Sequence, residues 1–185
     1  MNICTLVGIG NLIKNGEFTN RKTHGDHEDP IGWQAHSLLH PGLVAGETYA
    51  AKVAFLDTDH SSSYYACTLI RGGVYTAYAQ FKPLDTDSNA KLLMHCYDSI
   101  HNTGSQNQAF EQDFILQPNV YTECLFTFTA PDYTKYLHFS PRSLDDKYVL
   151  VINCKLGKGE LTLEQMRKLP TVLPIFSAFQ HSYPV

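Results

Sequence analysis

The stretch Asn11-Leu-Ile-Lys-Asn-Gly-Glu-Phe18, followed by Pro30-Ile-Gly-Trp33, begins the patterned part of this 185-residue chain. An Asn-Gly pair favours a tight turn, because both residues tolerate a positive φ. The only tryptophan comes a short loop after that turn and after Phe18, an aromatic residue of the kind found in cores. The stretch therefore sets a turn and two large aromatic residues at the start of the domain.

Downstream of this stretch, short runs rich in Tyr, Phe, Val, Thr and Leu alternate with turn-forming segments. Such runs fit a pleated, half-buried surface and are typical of β-strands. The predicted strands are Thr48–Leu56, Tyr64–Ile70, Val74–Lys82, Lys91–Tyr97, Glu111–Leu116, Tyr121–Thr129, Tyr136–Ser140 and Tyr148–Leu156. Strands and turns at this spacing, with no amphipathic helix before residue 160, predict an all-β sandwich or barrel.

Two of these strands indicate which residues face the core. In Tyr75-Thr-Ala-Tyr-Ala-Gln-Phe81 the odd-numbered residues are apolar, and in Leu92-Leu-Met-His-Cys-Tyr97 the even-numbered ones are. Alternate residues of a strand share one side, so these two sets are expected to point inward. The opposite sides carry Thr76, Tyr78, Gln80, Leu93, His95 and Tyr97.

The C-terminal segment has a different character. Thr162-Leu-Glu-Gln165 has the spacing of a capping box and predicts a short helix over Leu163–Leu169, ending before Pro170. The sequence after it is apolar and interrupted by prolines, so we expect an extended tail that packs back on the sandwich or docks on another chain. The expected organisation is an N-terminal arm at 1–10, a sandwich at 11–156 and a C-terminal helix and docking tail at 157–185.

Composition narrows the function classes. The formal net charge is -4 and there is no run of Lys or Arg, so no nucleic-acid surface is expected. No apolar run approaches the roughly 20 residues of a membrane-spanning helix. The N-terminus lacks the features of a signal peptide, and the five cysteines are widely spaced, so we expect free thiols. The alternative is a disulfide across a sheet, joining Cys67 to Cys96 or Cys124 to Cys154.

The order of these pieces resembles the jelly-roll carbohydrate-binding modules of the xylan- and cellulose-binding type. The resemblance covers roughly residues 11–156. It is carried by the two opening segments, by Tyr49-Ala-Ala-Lys-Val53, by Tyr75-Thr-Ala-Tyr-Ala-Gln-Phe-Lys82 and by Tyr148-Val-Leu-Val-Ile-Asn-Cys-Lys-Leu156. It implies a jelly roll; together with the predicted strands and the C-terminal segment, the expected fold is an all-β jelly-roll β-sandwich of about eight to ten antiparallel strands, with a short C-terminal helix and an extended tail. It also implies a protein that binds and does not catalyse.

Sugar rings stack on aromatic faces through their C–H groups, while amides and imidazoles form hydrogen bonds to the ring hydroxyls. The candidate carbohydrate-binding residues are Trp33, Tyr78, Gln80, His95 and Tyr97. The alternative is that Trp33 plugs one end of the sandwich and the tyrosines form ordinary cross-strand pairs. His24-Gly-Asp-His-Glu-Asp29 is the densest group of potential metal ligands, but its histidine spacing matches no zinc motif, so a solvated acidic loop is expected.

The same resemblance implies a structural calcium ion that bridges the first loop and the last strand. Its ligands would be an acidic residue just after the phenylalanine and an Asp of the last strand. The matching positions of this chain hold Thr19 and Asn153, so both carboxylates are missing. Calcium prefers several oxygen ligands with carboxylates among them. We therefore expect no bound cofactor, and Glu17 with Asn153 are the candidate ligands should calcium bind.

Modules of this kind also occur in bacteriophage tail, baseplate and head-surface proteins, which are made without a signal peptide. A single module with free cysteines and an apolar tail resembles that usage. The expected function is a non-catalytic virion structural or adhesion module, synthesised in the host cytoplasm and displayed on the virion surface, where it can also bind host glycans. Its partners would be other virion subunits, contacted through residues 157–185 in an oligomer.

Two alternatives stay open. One is a stand-alone lectin-like carbohydrate-binding module, whose role is glycan binding alone. The other is a small glycan-active enzyme on a jelly-roll scaffold. The sequence has no nucleophile elbow, no phosphate-binding glycine loop and no His-Glu-x-x-His motif, so a non-enzymatic protein is expected.

Overall fold

The computed structural model of the protein describes most of the predicted sandwich. The described residues are 11–14, 16–18, 21–24, 27–30, 33–34, 51–53, 64–84, 88–99, 106–144 and 149–170. The predictions made for the arm at 1–10, for Thr19 and for the tail after Pro170 lie outside these residues.

The described residues form eleven strands and one helix. The first six strands are β1 (Arg21–His24), β2 (His27–Pro30), β3 (Trp33–Gln34), β4 (Ala51–Val53), β5 (Tyr64–Thr68) and β6 (Val74–Pro83). The other five are β7 (Ala90–Tyr97), β8 (Asn107–Phe114), β9 (Thr122–Thr129), β10 (Tyr136–Ser143) and β11 (Val149–Lys158). The helix α1 spans Leu163–Lys168.

These strands build two sheets that face each other and one separate hairpin. The five-stranded sheet has the order β3-β5-β10-β7-β8, and the four-stranded sheet has the order β4-β11-β6-β9. Strands β1 and β2 pair with each other alone. All pairs are antiparallel, and consecutive strands repeatedly fall in different sheets. The prediction of an all-β jelly-roll sandwich is therefore confirmed.

The hydrophobic core lies between the two sheets and contains the residues that the alternation predicted. From β6 and β7 these are Tyr75, Ala77, Ala79, Phe81, Leu92, Met94 and Cys96, all of them buried. Trp33 belongs to the same core, with its ring centroid 5.0 Å from that of Phe18 and 6.2 Å from that of Phe139. Burial of this apolar surface is the main force that holds the two sheets together.

The first loop is fastened to the last strand by the backbone and by one amide side chain. The Oδ1 atom of Asn11 accepts hydrogen bonds from the backbone N–H groups of Ile13 and Leu156, each at 3.0 Å. The N–H of Cys154 donates to the carbonyl oxygen of Gly16 at 2.9 Å. The approach is so close that a Cβ atom on Gly16 would lie 2.0 Å from the carbonyl oxygen of Cys154.

Three strands differ from the prediction for identifiable reasons. Strand β8 starts at Asn107, four residues before the predicted Glu111, because it is an exposed edge strand whose polar side chains carry no core pattern. Strand β10 continues through Pro141, which lies opposite Leu92 of β7 beyond the last described pair of β10 with β5, where a proline interrupts the sheet least. Strand β11 reaches Lys158, and the chain turns only at Gly159, which has a φ of 99°.

The capping box predicted at the start of the helix is present. The backbone N–H of Gln165 donates to Oγ1 of Thr162 at 3.3 Å, and the backbone N–H of Thr162 donates to Oε1 of Gln165 at 2.8 Å. Both bonds satisfy N–H groups that have no partner inside the helix. Among the described residues there is no helix with the length and apolar composition of a membrane span.

Candidate functional site

The five predicted carbohydrate-binding residues do not share one surface. Tyr78 and Gln80 lie on the outer side of the four-stranded sheet, because they alternate with the core residues of β6. His95 and Tyr97 lie on the outer side of the five-stranded sheet, across the sandwich. Trp33 lies in the core, only 7% exposed, in agreement with the alternative interpretation as a plug. The single binding face expected from the sequence is therefore corrected.

Helix α1 covers the part of the four-stranded sheet that carries Tyr78. The Tyr78 side chain is 2% exposed and packs in a small hydrophobic cluster of its own. The other buried members of that cluster are Leu161, Met166 and Leu169. A sugar ring could reach the face of Tyr78 only if the helix moved away, so the folded protein does not present Tyr78 as a stacking platform.

A charged group fastens the helix to the strands at this point. The Tyr78 hydroxyl donates to Oε1 of Glu123 at 2.7 Å, and the guanidinium of Arg167 donates to both oxygens of the same carboxylate. The hydrogen bonds from Arg167 and then from Tyr78 lower the pKa of Glu123 to about 2. Burial and the bond to Glu123 raise the pKa of Tyr78. This arrangement is structural, since both partners of the carboxylate belong to the packing of α1.

Lys155 also fastens the C-terminal end of the helix. Its Nζ atom donates to the carbonyl oxygens of Met166 at 3.2 Å, Arg167 at 3.0 Å and Leu169 at 2.9 Å. The last carbonyl groups of a helix have no partner within it, and a cation there also interacts favourably with the helix dipole. Burial lowers the pKa of Lys155, although the negative charge of Glu17 opposes that shift.

The residues suggested for calcium do not fit that ion. The Asn153 side chain, at a φ of 54°, donates its amide N–H to Oε1 of Gln80. Glu17, the only carboxylate of the candidate pair, lies within electrostatic range of the Lys155 ammonium group, a poor neighbour for a divalent cation. No three His, Cys, Asp or Glu side chains of the described residues come together as a metal site. Hydrogen bonds join the first loop to the last strand instead, with Asn11 Oδ1 and the Gly16 carbonyl oxygen accepting from N–H groups of β11.

The backbone corrects one further prediction, and the described cysteines confirm another, that of free thiols. The segment His24–Asp29 was expected to be a solvated loop, but its ends pair as the hairpin of β1 and β2. The cysteines Cys67, Cys96, Cys124 and Cys154 are free, so neither sheet-crossing disulfide forms. Burial raises the pKa of Cys67 and of Cys124 to about 12, which keeps both thiols protonated and unreactive.

The outer side of the five-stranded sheet carries three neighbouring rings, those of His95, Tyr97 and His138, which we call the ring cluster; His95 stacks on Tyr97, and His138 is tilted against it. His138 on β10 lies directly opposite His95 on β7. The Tyr97 ring centroid is 4.3 Å from that of His95, at an interplanar angle of 29°, and 4.6 Å from that of His138. Rings at these distances attract each other. Tyr97 is buried, at 5% exposure, and supports the rings of His95 and His138, which are the partly exposed members of the cluster.

The electrostatics of the ring cluster keep its histidines neutral at pH 7. Burial, together with the positive charge of Arg142, lowers the pKa of His95, although a hydrogen bond with the Asn107 side chain opposes this. Burial and then repulsion from His95 lower the pKa of His138 from its ordinary value of 6.5 to about 4. A neutral imidazole offers one donor and one acceptor, which suits the hydroxyl groups of a sugar.

Charged side chains border the ring cluster on the same side of the sheet. Lys91 on β7 lies 3.0 Å from a carboxylate oxygen of Glu111 and 3.5 Å from one of Asp113, both on the edge strand β8. Arg142 lies on β10, directly opposite Lys91. Buried Ser140 separates it along the strand from His138. The site therefore combines an aromatic surface with several hydrogen-bonding groups.

His138 and Arg142 were missed by the sequence reasoning, although a signal for both was present. In Tyr136-Leu-His-Phe-Ser140 the apolar residues Leu137 and Phe139 alternate with polar ones, and both are fully buried. The same alternation that identified the outer residues of β7 would have placed His138 and Arg142 outward. It could not have placed β10 beside β7, because these strands lie far apart in sequence.

Comparison with known proteins agrees with this architecture. No protein-family model matches the sequence, and no curated protein matches it. Solved structures do match. The fold is similar to the CBM22-1 xylan-binding domain from Paenibacillus barcinonensis Xyn10C, with a TM-score of 0.58 and 11% identity over 84% of this chain and 98% of that domain.

A second similar structure contains a module of the same type. It is the N-terminal CBM22-1–GH10 part of Clostridium thermocellum endo-1,4-β-D-xylanase 10B, complexed with xylohexaose. The TM-score is 0.52, with 14% identity over 70% of this chain, and this chain spans 26% of that protein. At such low identity the likeness shows the fold alone, which is the jelly-roll sandwich of carbohydrate-binding modules.

Proposed function

We propose that this protein binds carbohydrate without transforming it, and that the ring cluster on the five-stranded sheet is the site. The observation that carries the proposal is the pair of partly exposed rings, His95 and His138, that the buried Tyr97 ring supports on an outer side that no described helix covers. The C–H groups of a sugar favour such an aromatic surface, and imidazole and amide groups around it can bind hydroxyls. The similar solved structures, which are named as carbohydrate-binding modules, support this function.

A binding role without catalysis is supported by the acidic residues of this side. A glycosidase needs two carboxyl groups that face each other across the scissile bond. Glu111 and Asp113 lie two residues apart on the same edge strand, and both are held beside Lys91. Their arrangement suits a charged border, and it lacks the opposed geometry that a hydrolytic pair requires.

The virion setting is the narrower proposal, and it rests on the sequence context alone. Neither of the two similar structures described above is a virion protein. The described part of the segment 157–185 packs on the chain's own four-stranded sheet through α1. Docking on virion subunits, with synthesis in a host cytoplasm, is therefore a proposal that concerns residues 171–185. Loss of oligomers on deletion of 171–185 would support it, and a monomeric full-length protein would contradict it.

The carbohydrate proposal is tested by screening the purified chain on a broad glycan array with and without calcium. Any ligand found is then titrated calorimetrically against the variants His95→Ala and His138→Ala. We expect each variant to bind roughly tenfold more weakly or worse. Lys168→Ala, on the exposed side of the helix, is the matched control. Unchanged affinity in both histidine variants would contradict the site, and a folded protein that binds no glycan would contradict the function.

A further inference from the structure

Arg142 occupies an unusual position beside the ring cluster. The Nε atom of its guanidinium group is buried and forms no hydrogen bond within the part of the chain that the structure describes. An arginine that loses contact with water normally gains hydrogen-bond acceptors, because an unpaired buried donor costs free energy. The Nε–H of Arg142 therefore lacks an acceptor beside the ring cluster.

The neighbouring carboxylates do not fill this role. Glu111 and Asp113 are engaged by Lys91, at 3.0 Å and 3.5 Å, and neither forms an ion pair with Arg142 among the described residues. Their charge nevertheless reaches the guanidinium, since the negative charge of Glu111 opposes the lowering of the Arg142 pKa by burial. Of the two cations Lys91 and Arg142, Arg142 is therefore the one without a direct carboxylate partner among the described residues.

The register places this charge next to the aromatic surface. Arg142, Ser140 and His138 alternate along the outer side of β10, with the buried Ser140 between the other two. The guanidinium acts electrostatically on His95 and on Tyr97, so its charge lies within range of the rings. A sugar stacked on the ring cluster would bring a substituent of the ring or of its neighbour over Ser140 toward Arg142.

From this juxtaposition we propose that the site prefers glycans with carboxylated sugars, whose carboxylate is bound by Arg142 while a sugar ring rests on the ring cluster. The inference deepens the proposed carbohydrate function and depends on it. A planar guanidinium matches a carboxylate with two parallel, charge-assisted hydrogen bonds, whereas a hydroxyl offers a single uncharged oxygen. Carboxylate binding would also supply the acceptor that the buried Nε lacks.

The test compares carboxylated oligosaccharides with neutral counterparts that differ in the carboxylate. The probes are oligogalacturonate, oligoalginate and sialyllactose, each paired with its carboxyl-reduced form. We expect at least one acidic probe to bind roughly tenfold or more tightly than its neutral counterpart. This preference should decrease with added salt, because the binding pair is only partly buried. Dextran sulfate controls for binding to any polyanion.

Variants of Arg142 then assign the preference to this residue. Arg142→Gln is expected to abolish the discrimination between each acidic probe and its counterpart, and Arg142→Lys to retain part of it. Arg71→Gln is the matched control, because it removes one positive charge from an exposed turn. Thermal melting verifies that each variant is folded. The comparison of the paired probes on the unaltered protein tests the inference even if a variant does not fold.

Each result has a definite meaning. Equal binding of acidic and neutral probes would overturn the role of Arg142 and leave the carbohydrate function intact. So would dextran sulfate binding as tightly as the acidic probes, or an acidic preference that survives in Arg142→Gln. Binding of no probe and of no glycan on the array would instead overturn the carbohydrate function itself.

Discussion

The phenol of Tyr78 donates a 2.7 Å hydrogen bond to Glu123, so a carboxylate on β9 satisfies a buried hydroxyl on β6. The same carboxylate binds Arg167 of α1. Glu123 is thus the acceptor that the sheet and the helix share. The contact links the helix to the strands beneath it, so its removal should destabilise both the helix and the sheet.

Replacement of Glu123 by Ala tests this contact. We expect the free energy of unfolding to fall by about 1 to 3 kcal/mol, because the Tyr78 hydroxyl stays buried without its acceptor. The exposed ion pair with Arg167 adds about 0 to 1 kcal/mol. Urea denaturation measures the loss. Glu164→Ala is the control, since it breaks only the exposed pair with Lys168 and should cost about 0.5 kcal/mol or less. Equal losses in the two variants would contradict the assignment.

Lys155→Met removes the ammonium group at the end of the helix and keeps a side chain of similar length. Three carbonyl oxygens lose their donor, so we expect a loss of about 2 to 3 kcal/mol in the free energy of unfolding. Hydrogen exchange should accelerate more at the amides of 163–169 than at those of β6. Lys158→Met, at an exposed position, is expected to change neither. Uniform acceleration of both regions would show that Lys155 does not act on the helix locally.

The ring cluster should make stability depend on pH. The unfolded chain protonates His138 near 6.5, whereas burial lowers its pKa in the folded protein to about 4. Between these values the unfolded state binds more protons than the folded state. The contribution of His138 to the free energy of unfolding is therefore fully present above about pH 6.5 and is lost as the pH falls toward about 4. For a half-buried ring we expect a loss on the order of 1 to 2 kcal/mol.

Unfolding midpoints in urea, measured across that range, test the effect. His138→Gln should flatten the dependence, because the titrating group is gone while a polar side chain of similar size remains. His95→Gln should flatten it too, in part by removing the repulsion that contributes to the His138 shift. The same slope in the unaltered protein and in His138→Gln would assign the pH dependence to other groups.

Two glycine substitutions compare a contact with rigid backbone and a contact with a movable side chain. Gly16→Ala would set a Cβ atom 2.0 Å from the backbone carbonyl oxygen of Cys154, and we expect it to cost about 3 kcal/mol. Gly157→Ala would meet the Cδ1 atom of Leu161 at 2.3 Å, but a side-chain end can turn aside. We expect it to cost about 1 kcal/mol. Thermal melts of both variants give the order, and a larger loss for Gly157→Ala would contradict it.

The sequence was a good guide to what lies inside the sandwich. Alternation along β6 and β7 identified core residues such as Tyr75, Phe81 and Met94 correctly, because each strand contacts the core on one side only. The capping box located the helix start at Thr162, since that signal depends on residues three apart. Local patterns of this kind are set by neighbours in the chain and can be read without knowledge of the fold.

The candidate site was harder to predict for a physical reason. Alternation shows that Tyr78 and His95 both point away from the core, yet it does not show which sheet each strand joins. Strand order depends on contacts between distant parts of the chain, and it separates β6 from β7 into opposite sheets. The burial of Tyr78 depends in turn on α1, which begins about 85 residues further along the chain. The hairpin of β1 and β2 was missed because its polar residues carry no hydrophobic period.

The helix gives the molecule two unlike sides. Glu164 and Lys168 face solvent on the covered side, while the ring cluster lies across the sandwich on the other. A molecule coupled to a solid support through a residue introduced at position 164 would consequently hold its ring cluster toward the liquid. That orientation would leave the proposed carbohydrate site open to the solution, with the attachment point on the opposite side of the sandwich.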